Sequence, residues 1–324
     1  MLTRRRFVGG LAALALIPLA SAQQQITREQ LSGLLRKGSP TGWRVLEGYQ
    51  REGTSFGSSN RQVTVPKGDL WSLAVGRPMT DLLTAANTLV HETCHFYSYV
   101  QALGALSGSQ GVALFPDVQS RLMVVNTETF PCREAVACCP DFLRATDRYR
   151  TYFDVDSPNL GTQKNGIYGL LEELGAYFCG TSACLELLTH LTHHPRAFSE
   201  GLSWGQFLVD PMGTMEATLE FRGYILAYLD YARTAHPKIY AQLLANRQLW
   251  RGYHAIQAAH SNLAEDYFRQ LPTLAGRVGA RVKGDHVDWN QQRFAIKKVE
   301  FRRLQSRLDA CPSLRSIEET VKVT

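Results

Sequence analysis

The sequence predicts a mainly α-helical protein of the α+β kind, with a small β element near the N-terminus and a helical C-terminal portion. Three observations carry this. Apolar residues recur at three- and four-residue spacing over several long stretches. Strand-like alternation is confined to one short region between Trp43 and Val65. With 44% hydrophobic and 20% charged residues, the chain has enough apolar material to bury a substantial core.

Trp43 to Tyr49 and Arg61 to Val65 read as two strands joined across the loop Gly53 to Asn60, a β element able to form one wall of a cleft. Pro78-Met79-Thr80-Asp81 then supplies helix-start chemistry, with Thr80 or Asp81 as the cap. Leu82, Leu83, Ala86, Leu89, Val90 and Tyr97 follow at helical spacing, which predicts a helix from Asp81 to Leu103, ending before Gly104. Phe142 to Tyr152 reads as a short helix and Asp154 to Asn165 as a loop leading into an apolar helix over Gly166 to Phe178. Beyond Gly205 the pattern is mostly helical, with segments at Met215–Thr234, Lys238–Arg247 and Leu249–Leu271. Phe294 to Leu308 predicts an amphipathic helix whose Lys297, Lys298, Arg302, Arg303 and Arg307 form a solvated face. Trp204, Trp250 and Trp289 are expected in the core. His190, His193 and His194, just before Pro195, are expected to satisfy the last carbonyls of a helix.

The most informative pentapeptide is His91-Glu92-Thr93-Cys94-His95, an HExxH pattern inside the first long predicted helix. Two histidines four residues apart project from one helix face about a turn apart, so both imidazoles reach a single zinc ion with the glutamate beside it. Three fixed positions of this kind coincide by accident in only roughly one chain in a hundred of this size. A zinc hydrolase site needs a third protein ligand and an open fourth position. A third histidine six residues after the second is absent, because position 101 is Gln101 and position 98 is Ser98. The adjacent Glu172 and Glu173 lie in the apolar run from Gly166 to Phe178, where unpaired carboxylates are costly to bury without a cation.

On these residues the chain resembles the gluzincin class of zinc metallopeptidases, in which HExxH is followed by a helix carrying a glutamate ligand in an E-x-x-A pattern. Glu173-Leu174-Gly175-Ala176 fits that pattern, with Phe178 in the aromatic slot, and Glu172 fits it less well. The resemblance spans two short helices. It implies a zincin-like fold, one Zn2+ held by His91, His95 and Glu173, Glu92 as the general base acting on a zinc-activated water, and a peptide or protein as substrate. It also implies an oxyanion donor from a later helix, for which Tyr224, Tyr228, Tyr231 and His254 are chemically suited. Tyr177, one turn beyond Glu173, is a candidate to support a ligand. The alternative is a catalytically silent zincin-like protein that binds a metal or a partner in the cell envelope. Retention of Glu92 favours hydrolysis, since a silent relic has no chemical need for a base between its histidines.

Thr3-Arg4-Arg5-Arg6-Phe7-Val8 resembles the twin-arginine export motif, and it precedes an apolar stretch from Val8 to Ala20 and an Ala20-Ser21-Ala22 cleavage pattern. Residues 1–22 are thus expected to be a signal peptide recognised by the twin-arginine machinery, and 23–324 a single exported domain, periplasmic or extracellular. Removing three arginines and no acids lowers the formal charge from +6 to +3 over the remaining 302 residues. That balance and the lack of a basic, aromatic-interleaved patch point away from nucleic acid, and no stretch in the mature chain is long and apolar enough for a membrane span. Seven cysteines in an exported protein suggest disulfides. Cys179 lies close to Cys184, and Cys132 to Cys138 and Cys139, so two local bridges are one arrangement, leaving Cys94 and Cys311 among the unpaired.

Overall fold

The computed structural model describes residues 24–52, 55–58, 61–64, 67–106, 110–195 and 202–322, with the backbone alone for 55–64. The expected signal segment at 1–22 lies outside the described residues. Two caps start the fold. Thr27 and Gln30 bond each other's backbone N–H groups, a capping box that opens α1 (Arg28–Gly38). Ser39 Oγ accepts the N–H of Gly42 at 3.0 Å, with Pro40 in the first helical position, and opens α2 (Pro40–Arg51). Trp43 to Tyr49 is therefore helix, which corrects the strand expected there. Thr41, Gly42, Val45, Leu46 and Tyr49 are its buried residues, and their spacing is that of one helix face. The β element is the antiparallel hairpin of β1 (Ser55–Ser58) and β2 (Arg61–Thr64), so part of the expected loop supplies a strand.

A 3₁₀ turn, Met79–Asp81, leads into α3 (Leu82–Ala105), and neither Thr80 nor Asp81 caps it by a side-chain hydrogen bond. The hairpin β3 (Gly111–Leu114) and β4 (Leu122–Val125) follows, paired with Val112 opposite Val124. Then come a 3₁₀ segment Cys132–Cys138, α4 (Asp141–Arg144), a π-helical turn Tyr149–Phe153 and α5 (Gly161–Lys164). The expected helix over Phe142–Tyr152 is thus split in two. The C-terminal half contains α6 (Ile167–His193), α7 (Trp204–Val209), α8 (Met212–Met215), α9 (Ala217–Ala235), α10 (Pro237–Ala245) and α11 (Arg247–Arg277). It continues with a three-stranded antiparallel meander, β5 (Arg281–Lys283), β6 (His286–Trp289) and β7 (Gln292–Ala295), and ends in α12 (Lys298–Ala310) and α13 (Pro312–Lys322). Phe294 belongs to β7, so the basic helix begins four residues later than expected. Among the described residues no helix is long and apolar enough to cross a membrane.

The helix α6 is the axis of the fold. It packs against α1, α2, α3, α9 and α11, and its apolar residues run all round it, which is the signature of a helix with no solvent face. It carries no lysine or arginine and three glutamates. Glu186 is satisfied at the start of α2, accepting from Ser39 Oγ at 2.7 Å, Thr41 N at 3.0 Å and Thr41 Oγ1 at 2.7 Å. Glu172 and Glu173 face α3. The two helices approach closely at Gly180, where a Cβ would lie 2.7 Å from Asn87 Oδ1 and 3.2 Å from the Cβ of His91. That glycine lets His91 sit against the central helix.

Other expectations resolve in the packing. Trp204 and Trp250 are buried and Trp289 is partly buried. All seven cysteines are free thiols, which corrects the local bridges. Cys179 and Cys184 are five residues apart on one helix and point in directions about 140° apart, so they cannot meet. Cys179 instead lies beside Cys94 across the α3–α6 contact. His193 donates from Nδ1 to the Thr189 carbonyl at 2.7 Å, in the last turn of α6, as a terminal histidine should.

His260 on α11 is buried without a partner for Nε2, and burial pushes its pKa down to about 4. A base held below its ordinary value of about 6.5 adds stability that is complete at neutral pH and is lost as the pH falls toward the folded value. Between pH 7 and pH 4.5 this residue alone should remove about 2–3 kcal/mol. Urea unfolding at both pH values is expected to show a correspondingly flatter pH dependence for His260→Met, and equal slopes for variant and wild type would refute the assignment.

Candidate metal centre

The site is built by α3 and α6, the most extensively packed pair of elements in the fold. His91 and His95, one turn apart on α3, bring their Nε2 atoms to 3.0 Å from each other. Glu173 Oε2 lies 3.7 Å from His91 Nε2 and 3.5 Å from His95 Nε2. Tetrahedral ligands about 2.0–2.1 Å from a zinc ion stand about 3.3 Å from one another, so the triangle has the size the ion requires. Among the described residues these three are the one group of His, Cys, Asp or Glu side chains able to hold a metal ion. A second observation bears on the fit. Glu173 Oε2 is buried and makes no hydrogen bond, although a buried carboxylate oxygen ordinarily has a partner.

Glu172 has a different task. Its Oε1 lies 2.6 Å from His95 Nδ1, the ring nitrogen turned away from the triangle. A carboxylate on the far nitrogen fixes the tautomer and ring orientation of a metal-binding histidine. The adjacent acids are thus divided, with Glu173 in the triangle and Glu172 behind His95. Glu92 stays outside the triangle, its side chain 42% exposed and its Oε1 4.0 Å from His91 Nε2. Cys94 is buried beside Cys179 and is not among the candidate ligands.

Without an ion, the electrostatics of the two imidazoles diverge. Burial, then His95 and Arg148, lower the His91 pKa to about 3. Burial opposes the charge on His95 as well, but Glu172 and then Glu173 outweigh it and raise its pKa well above the ordinary histidine range. Burial also raises the Glu173 carboxyl above the usual range, although His95 pulls it the other way.

One wall of the site joins Tyr177, expected beside a ligand, to Tyr152 and Arg148, which the motif did not reveal. The ring of Tyr177 stands edge-on to His91 with centroids 4.5 Å apart. Its hydroxyl is 3.2 Å from that of Tyr152, which is carried by the π-helical turn. Burial, then Glu173 and Tyr177, raise the Tyr152 pKa, so this hydroxyl keeps its proton. Arg148 lies over the ring of Tyr177, 4.6 Å from its centroid. The π-turn and the residue before it offered a faint sequence signal, two tyrosines and two arginines in Arg148-Tyr149-Arg150-Thr151-Tyr152, with no spacing to link them to the histidines.

The oxyanion donors expected from later helices have other partners. Tyr224 bonds Thr146 and Glu220, and Tyr228 exchanges hydrogen bonds with the Phe130 backbone. Tyr231 packs on Phe130 and His236, and His254 faces the Val321 carbonyl. No protein-family model matches the chain, and comparisons with characterised proteins and with solved structures gave no match.

Proposed function

We propose that this protein is an exported zinc-dependent metallopeptidase that hydrolyses peptide bonds. The observation that carries the reading is the triangle of His91, His95 and Glu173, with the half-exposed Glu92 at its edge. A zinc ion held there would polarise the scissile carbonyl and acidify the attacking water. Glu92 would accept a proton from the attacking water and pass it to the leaving amine. Glu172 keeps the His95 ring turned so that Nε2 faces the site. The Tyr152 and Tyr177 hydroxyls, 3.2 Å apart beside the His91 ring, are neutral donors that suit the developing oxyanion. The twin-arginine pattern at Arg4-Arg5 supports export across the bacterial inner membrane.

The test combines elemental analysis of the purified mature chain with digestion of a mixed peptide library. One zinc per chain, new peptide termini by mass spectrometry, and loss of cleavage on chelation with recovery on adding zinc are expected. Metal at one ion per chain with no cleavage of any library member would favour a silent metal-binding role.

A further inference from the structure

We propose that Arg148 is a positioning residue for the metal centre, holding the His91 ring in place through Tyr177. This rests on His91, His95 and Glu173 being the metal ligands. The two histidines are supported unequally. His95 has a carboxylate on its outer nitrogen, whereas Nδ1 of His91 is buried and has no hydrogen-bond partner. The aromatic neighbour of the His91 ring from α6 is Tyr177, with centroids 4.5 Å apart and the rings near perpendicular. Tyr177 is itself clamped. Arg148 covers one face, Phe221 packs with its ring centroid 5.5 Å away, and Tyr152 meets the hydroxyl.

Arg148 is anchored on three sides. Its Nη1 donates to Glu220 Oε1 at 2.8 Å, its backbone N–H donates to Glu220 Oε2 at 3.1 Å, and its Nη2 donates to the Gly213 carbonyl at 2.7 Å. The side chains of Arg148 and Glu220 are 12% and 2% exposed. A buried ion pair is a poor way to gain stability, because desolvation of both charges offsets their attraction. Here the pair places a flat cation against an aromatic face, which an ammonium on a flexible stem does less well. The run Glu220–Arg148–Tyr177–His91 thereby ties α9, which supplies no ligand, to the ligand helix α3.

The experiment measures zinc affinity by chelator competition and the visible absorption of the cobalt-substituted protein. Arg148→Met alone would strand Glu220, so the main variant is Arg148→Met combined with Glu220→Gln. The control is Arg222→Met with Glu318→Gln, which removes the ion pair between α9 and α13. The Arg148 double variant is expected to bind zinc about 10- to 100-fold more weakly, with an altered cobalt spectrum, while the control binds as wild type does. Arg148→Lys keeps the charge and loses the flat face. It should weaken zinc binding less than the double variant does but measurably, and it decides the question alone if the double variant does not fold. Affinities within twofold of wild type and unchanged cobalt spectra in the Arg148 variants would overturn the proposal. A wild-type protein that binds no zinc would instead remove the ligand assignment beneath it.

Discussion

Glu92→Gln is expected to lower kcat for peptide cleavage by roughly 10³- to 10⁴-fold while metal content stays at one ion per chain. Glutamine keeps the shape of the side chain and cannot take up a proton. Glu92 is 42% exposed and stands outside the ligand triangle, so its replacement leaves no buried group without a partner. The loss therefore falls on the chemical step and not on folding or metal retention. Elemental analysis beside single-turnover kinetics checks both halves. A variant that cleaves within tenfold of wild type would show that another group moves the proton.

The second large effect separates two neighbouring acids. Glu173→Gln removes one charged corner of the triangle, and zinc affinity should fall roughly a thousandfold, about a third of a site binding energy on the order of 10–16 kcal/mol. Glu172→Gln leaves the triangle intact and weakens the hold on His95, for which a drop of about 10- to 100-fold is expected. The metal-free proteins should respond in a distinctive way. Burial raises the Glu173 carboxyl pKa, so at neutral pH the charged group opposes folding, and Glu173→Gln without metal should melt higher than metal-free wild type. Thermal unfolding in chelator, alongside chelator competition, reads both numbers. Equal affinity losses for the two variants would contradict the division of roles.

Much of this site was legible before the fold was known. Helical spacing placed His91, Glu92 and His95 on one helix with its ends within two residues of those found, because a long uninterrupted apolar period leaves few alternatives. The apolar setting of Glu172 and Glu173 exposed them as a problem needing a cation, and the E-x-x-A spacing favoured Glu173, the acid that stands in the triangle. The task of Glu172 was not legible, since it depends on which nitrogen of His95 it meets. Trp43 to Tyr49 went to the wrong class because its alternation outweighed the Ser39-Pro40 helix start. The hairpin β3–β4 and the meander β5–β7 consist of three- and four-residue strands, too short to show a period. Tyr152 in the π-turn and Arg148 just before it reach the site by tertiary packing, which no local pattern announces.

Glu173 Oε2, without a partner in the second turn of the helix that so many other elements touch, also bears on how the molecule tolerates heat. On the proposed reading, an ion held by His91, His95 and Glu173 would bind the folded form alone, because folding is what brings the three side chains together. Preparations differing only in trace-metal content should thus behave as two materials with separate melting temperatures, the gap widening with the logarithm of free ion concentration.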